Sequence, residues 1–323
     1  MVIDVSASPQ SGLSHRARGT GLILCASVFF GTSGALGKPA MTAGLSPEQV
    51  ASARLGLSAL MLLIGVALVK PALLRVRPGE WKLLAAYGLF GVAGVQLLYF
   101  VAVSRIPVGI AILLEFTSPV LIAFWVRFVR KTRLPRAMWL GIALAMGGLT
   151  LVAQVWQGLR LDALGLIAIF CAACCSAVYF LLGEQGVATR HPLGMVTWGM
   201  IIGAVVVSVV APPWTLPVSV LTGPAKFGPW QPPLWALLVA LALLSTVIAY
   251  LAGITALKYV SASVASVLAL LEPVVATAAA WAFLGETLTW VQLFGAVVLL
   301  GGALIVQLNS PKRHITAAEP LPG

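Results

Sequence analysis

Residues 110–119, Ile110-Ala111-Ile112-Leu113-Leu114-Glu115-Phe116-Thr117-Ser118-Pro119, set a carboxylate near the middle of an apolar run, shortly before a proline. A second run of the same design is Leu268-Ala269-Leu270-Leu271-Glu272-Pro273. Acidic side chains are rare in hydrocarbon; where they occur they face a bundle interior or a cavity and mark a site. An ionised carboxylate at the centre of a span costs roughly 2.5–3.5 kcal/mol on insertion scales. Glu115 is therefore protonated, paired or placed in a wet cavity.

Composition supports reading both runs as membrane spans. Of the 323 residues 60% are hydrophobic and 9% charged, against about 45–50% and about 25% in a soluble domain. Mean hydropathy is +1.03. The 32 glycines suit membrane helices. The net charge of +11 lies in short segments between apolar runs, which points to a positive-inside pattern and away from nucleic acid.

Ten apolar segments are each near the ~20 residues needed to cross a bilayer: 19–37, 50–69, 81–103, 106–126, 137–155, 163–182, 193–212, 234–256, 260–283 and 289–308. The first is read as an uncleaved span behind a polar tail. With the amino terminus inside, 15 of the 20 basic residues fall on the cytoplasmic side, so both termini are expected there. The proline-rich segment 213–233 is then an external, irregular cover.

The chain also repeats itself. Gly141, Gly147 and Gly148 follow Pro119 at the same offsets at which Gly295, Gly301 and Gly302 follow Pro273. The expected organisation is an all-α integral membrane protein with two five-helix repeats. These are residues 19–155 and 163–308, joined by an external linker (156–162) and flanked by cytoplasmic tails 1–18 and 309–323. An odd number of spans per half inverts the second half, an arrangement common in alternating-access carriers.

Several residues are candidates for function. Glu115 and Glu272 are read as substrate or proton sites, with a structural carboxyl as the competing reading. Pro119 and Pro273 are read as kinks or gating hinges, Pro273 leaving the carbonyl of Ala269 without its usual amide partner. For Arg54 three readings stand: snorkelling outward, pairing with Glu115, or holding a substrate carboxylate. Tyr99, Tyr179 and Tyr250 offer hydroxyls within spans. Gly31, Gly34, Gly141, Gly148, Gly199, Gly203, Gly295 and Gly302 read as close helix packing.

Other chemistries find little support. Cys171, Cys174 and Cys175 have no His or Asp beside them to complete a metal site, and with Cys25 they read as small apolar filler. His15, His191 and His314 lie in tails or loops, which argues against a bis-histidine haem site. No Walker-type loop is present. No cofactor or metal is expected.

The block Leu114-Glu115-Phe116-Thr117-Ser118-Pro119-Val120, the later run Ala262 to Val274 ending in Glu272-Pro273, Leu284-Gly285-Glu286 and the glycines Gly295, Gly301 and Gly302 resemble the EamA-type branch of the drug/metabolite transporter superfamily. The resemblance covers roughly residues 19–308. It implies a ten-helix inner-membrane carrier with cytoplasmic termini and a central cavity drawn from both halves. Members export amino acids such as threonine and homoserine, other metabolites or toxic compounds, some with proton coupling. Arg130-Lys131-Thr132-Arg133 departs from the Gly-Glu turn usual in first halves. The expected function is secondary active export of a small metabolite, amino acid or drug-like compound, with proton antiport as the coupling considered and uptake or facilitated diffusion as the alternative. A polytopic enzyme or sensor is the rival from another class. The expected partners are a small-molecule substrate, the lipid bilayer and protons, with monomer and homodimer both open.

Overall fold

The computed structural model describes residues 9–106, 108–156, 162–285 and 287–309. Among these residues the elements are helical apart from two isolated bridges. The helices run α1 (Pro9–Gly31), α2 (Ser33–Thr42), α3 (Pro47–Val69), α4 (Trp81–Val103), α5 (Val108–Glu115), α6 (Ser118–Phe124), α7 (Arg136–Val152) and α8 (Ala163–Thr189). They continue as α9 (Pro192–Val210), a short α10 (Val218–Thr222), α11 (Leu234–Ala256), α12 (Ala262–Leu268), α13 (Leu271–Leu284) and α14 (Trp290–Asn309). Nine helical stretches among the described residues are long and apolar enough to cross a bilayer, counting α1–α2, α5–α6 and α12–α13 as one each. The shorter apolar α7 is the remaining segment.

Local chemistry sets the helix ends. Ser46 and Gln49 form a capping box ahead of α3, with Pro47 at its first position. Asp162 caps α8 by accepting from the Gly165 amide, and the His191 ring nitrogen accepts from the Leu193 amide at the start of α9. Gly285 ends α13 in the left-handed region at φ 72°. Partial burial, and then the ammonium groups of Lys258 and Lys70, hold the His191 imidazole below its ordinary value.

Some boundaries differ from those expected. Helix α1 already begins at Pro9, inside the segment expected to be a tail. Helix α8 continues to Thr189, where the expected span stopped at residue 182. Helix α7 stops at Val152, because Gln154 turns into the left-handed region at φ 46°. The expected cover at 213–233 carries α10 and a small hairpin, with paired Phe227 and Trp230 closed by Gly228 at φ 57°. Its Leu216, Val220, Leu221 and Phe227 pack on Leu36, Val50 and Leu237. Arg160, Glu286, Lys312, Arg313, His314 and nearly all of the expected carboxy-terminal tail lie outside the described residues.

The expected proline kinks take another form. The chain breaks before each proline, at Phe116-Thr117 and at Ala269-Leu270, and the proline sits in the first turn of the helix that follows. A first-turn amide has no intrahelical partner, so proline's missing N–H costs nothing there. The Ala269 carbonyl, expected to be free, accepts from the Glu272 amide at 2.9 Å. The break at residue 117 is closed by the Thr117 hydroxyl, which donates to the Leu114 carbonyl at 2.6 Å.

Helices α7 and α14 meet along their glycines. A Cβ on Gly148 would stand 2.3 Å from the Leu299 nitrogen and 2.6 Å from the Gly295 oxygen. One on Gly302 would stand 2.6 Å from the Gly141 oxygen, and the reverse contacts of Gly141 and Gly295 are as close. Gly147 and Gly301, although they share the repeat, meet nothing within 4 Å. Gly148→Ala is therefore expected to cost about 1–3 kcal/mol by overpacking, and Gly147→Ala to leave stability unchanged or slightly raised. Thermal unfolding of the purified variants in detergent checks this; equal losses in both would remove the seam from the account.

Candidate functional site

Three interruptions in the helices surround one cavity of about 390 Å³. Thr32 separates α1 from α2, and its hydroxyl donates to the Phe29 carbonyl at 2.8 Å and lies 3.1 Å from the Ser245 hydroxyl. The other two are the breaks between α5 and α6 and between α12 and α13. Glu115 ends α5 and Glu272 lies in the first turn of α13, and both line the cavity. Among the described residues neither carboxylate has a Lys or Arg within ion-pair distance.

Arg54 enters the same cavity from α3. Its Nε donates to the Thr246 hydroxyl at 2.7 Å and its Nη2 reaches the Ser245 carbonyl at 3.4 Å. These acceptors belong to a π-helical turn, Leu243–Ile248, within α11. The wider turn changes which carbonyls find backbone partners. Thr246 donates to the Leu241 carbonyl at 3.2 Å, and Ser58 donates to the Arg54 carbonyl at 2.7 Å and to that of Ala242 at 3.1 Å. Arg54 is thus held at the cavity wall, within electrostatic reach of Tyr250 and Glu272. Neither outward snorkelling nor a Glu115 ion pair describes it. The hydroxyl and carbonyl acceptors of the π-turn give the guanidinium a nearer polar home.

All three candidate tyrosines line the cavity. Tyr250 lines the cavity with Gln96 and stands edge-on to Phe30 and Tyr179, with centroids 5.0 and 5.5 Å away. Tyr179 stacks on the fully buried Tyr87 at 5.7 Å. Pro273 borders the cavity, while Pro119 is buried beside it.

The glycines divide by environment. Gly31 both lines the cavity and packs, since a Cβ there would lie 2.7 Å from Val275 and 2.8 Å from the Glu272 oxygen. Gly34, expected to pack, meets nothing within 4 Å and instead lines the cavity, where open space takes the place of a neighbouring helix. Gly199 and Gly203 lie against Tyr87 and Val92 of α4. Cys171 and Cys174 are exposed on the bundle surface and Cys175 is buried on the same helix.

Sequence reasoning misses several polar lining residues: Gln96, Ser118, Ser176 and Ser266. Ser176 and Ser118 are joined at 3.2 Å. Ser118 is detectable from the repeat. The spacing from Pro119 to Pro273 carries Ser118 onto Glu272, and Glu115 onto Ala269, and all four line the cavity. The two carboxylates are therefore not repeat equivalents, although the likeness of their settings suggests it.

A membrane bundle whose broken helices enclose a polar, aromatic chamber is built as a polytopic transporter. The chain belongs to the EamA-like transporter family, whose sequence model matches residues 17–154 and again residues 163–308. Among curated relatives, the threonine/homoserine exporter RhtA of Escherichia coli (strain K12) is 29% identical over 269 residues, 80% of this chain and 85% of that protein. RhtA of Salmonella typhimurium (strain LT2) is 28% identical over 77% of this chain and 80% of its own length. The uncharacterised transporter YyaM of Bacillus subtilis (strain 168) is 30% identical over 88% and 91%. One solved structure, at 18% identity, shares the fold with a TM-score of 0.73 over 91% of this chain and 98% of that one.

The cavity distinguishes two neighbouring glycines by experiment. Gly31→Ala should lower the thermal midpoint by an overpacking cost of about 1–3 kcal/mol. Gly34→Ala should leave it within about 0.5 kcal/mol. The reverse order would mean that α2 is packed where the structure opens it.

Proposed function

We propose that this protein is an alternating-access exporter of a small zwitterionic metabolite, with threonine and homoserine as the first compounds to try. One observation carries the reading: the cavity sets a fixed guanidinium, Arg54, in one chamber with two carboxylates, Glu115 and Glu272. Arg54 holds the substrate carboxylate. The glutamates receive its ammonium group or a proton, and the tyrosine hydroxyls and Gln96 orient the remainder. Proton antiport follows if a carboxyl gives up its proton when substrate takes its place.

The architecture under this proposal has ten spans in two inverted five-helix halves, residues 19–155 and 163–308, with cytoplasmic termini. The two family matches and the reciprocal glycine contacts of α7 with α14 support the two-half reading. The matched placement of π-turns adds to it, Tyr87–Gly94 in α4 and Leu243–Ile248 in α11. Arg18, Lys70, Arg75, Arg130, Arg190 and Lys258 support the orientation, because that side gains most of the bases. Rocking of one half against the other would expose the chamber to each side in turn.

Proteoliposomes loaded with a pH dye test this with threonine, homoserine and their methyl esters, which lack the carboxylate. Wild type should exchange amino acid for protons, and Glu115→Gln or Glu272→Gln should lower proton flux about tenfold or more. Arg54→Gln should raise the KM for the amino acids about tenfold, the worth of one charge-assisted hydrogen bond, with little effect on the esters. Amino-acid flux without protons, surviving both glutamate substitutions, would end the coupling reading. Equal KM effects on acids and esters would remove Arg54 as the carboxylate anchor.

A further inference from the structure

The cavity is separated from the base-rich end of the bundle by three helices that converge on one carboxylate. Glu184, on α8, is 9% exposed. Its Oε2 accepts from the Arg130 guanidinium at 2.5 Å, at the end of the π-helical turn Trp125–Val129 that extends α6. Its Oε1 accepts from the Ala262 amide at 3.2 Å, the first amide of α12. Ser261, which precedes α12, makes no capping bond through its own side chain. The carboxylate of α8 therefore caps α12 from a neighbouring helix, and an arginine from the first half neutralises it.

These helices lead from the junction to the cavity. Ser118 on α6, Ser176 on α8 and Ser266 on α12 line it. Between the serines and the junction lie Ile122, Gly183 and Ala265, all buried. Helix α8 alone places about 12 Å between Ser176 and Glu184 at its usual rise. A Cβ on Gly183 would stand 2.6 Å from the buried Leu257, so α8 has no open space there. One carboxylate holds both neighbours. A passage from the cavity to the base-rich end along these helices must part at least one of α6 and α12 from α8 at this junction. It must therefore leave either the Glu184 carboxylate without its arginine or the α12 amide without its cap.

From this geometry we propose that Glu184 is the latch of a gate at the base-rich end. With Arg130 and the α12 amino end it holds the cavity shut on that side. It carries no role in binding substrate. A second ion pair at that end, Arg190 with Glu80, acts differently. Arg190 also donates to the Leu73 and Arg75 carbonyls, so it clamps the 71–80 connection to α8 and α9 without touching α12. Breaking that pair should leave the gate closed. The latch rests on the alternating-access reading, yet its test needs no substrate, so failure of the gate and failure of transport are read separately.

The probe is Ser176→Cys in a full-length chain with Cys25, Cys171, Cys174 and Cys175 replaced by alanine. The protein is reconstituted in vesicles and exposed to a membrane-impermeant maleimide from one side or the other. Glu184→Gln and Arg130→Gln should each raise the labelling rate from the base-rich side about tenfold or more, and lower it from the opposite side. Glu80→Gln should change neither. Should Glu184→Gln fail to fold, Arg130→Gln still removes the charge pair while keeping the cap, and gives the same reading. Unchanged labelling from both sides, or an equal rise from both, would overturn the latch.

Discussion

Every backbone amide and carbonyl at membrane depth must find a partner inside the protein, because hydrocarbon offers none. A helix satisfies this automatically, so an interruption survives only where side chains or a polar chamber take over the bonding. That constraint organises the structure. The breaks at Thr32, at Phe116-Thr117 and at Ala269-Leu270 border the cavity, and the π-turn of α11 holds Arg54 at its wall. Thr32, Thr117, Ser58 and Thr246 carry hydroxyls to carbonyls at or beside these places. The helices are broken around the chamber, and at Thr32 and Thr117 hydroxyls of the chain itself meet the carbonyls.

The same economy explains why two carboxylates and one guanidinium tolerate the bundle centre. Arg54 is held by the Thr246 hydroxyl and the Ser245 carbonyl of the α11 π-turn, so hydrogen bonds from the protein offset the cost of its charge there. Glu115 and Glu272 stay beside open space, where water or a ligand can reach them. The repeat then takes on a chemical meaning. Symmetry between the halves supplies four lining positions, Glu115, Ser118, Ala269 and Glu272, and only one in each half is acidic. A duplicated scaffold thus carries a chamber that is not a duplicate of itself.

Much of this is legible in the amino-acid sequence. Hydropathy locates the spans, and the depth of Glu115 and Glu272 in apolar runs points to the cavity they line. The three tyrosines follow from their depth alone. Arg54 is harder, because its partners depend on a π-turn that Leu243-Leu244-Ser245-Thr246 does not advertise: these residues suit an ordinary span equally well. Gly34 is misplaced by its spacing, because a three-residue glycine period does not reveal which of its members faces a neighbouring helix and which faces the cavity. Glu184 falls just beyond the expected end of its span and looks like a solvated charge. Helix α8 in fact continues past the hydrophobic stretch, with Gly186 pressed against Met195, and brings Glu184 under α12.

The seam between α7 and α14 also sets a timetable for synthesis. Helix α7 is made well before α14, so its glycine face waits for a partner made much later. Until α14 arrives, the backbone at Gly141 and Gly148 lacks the close contact it makes in the bundle. A chain truncated before Trp290 would carry the residues that line the cavity and still leave that contact unmade.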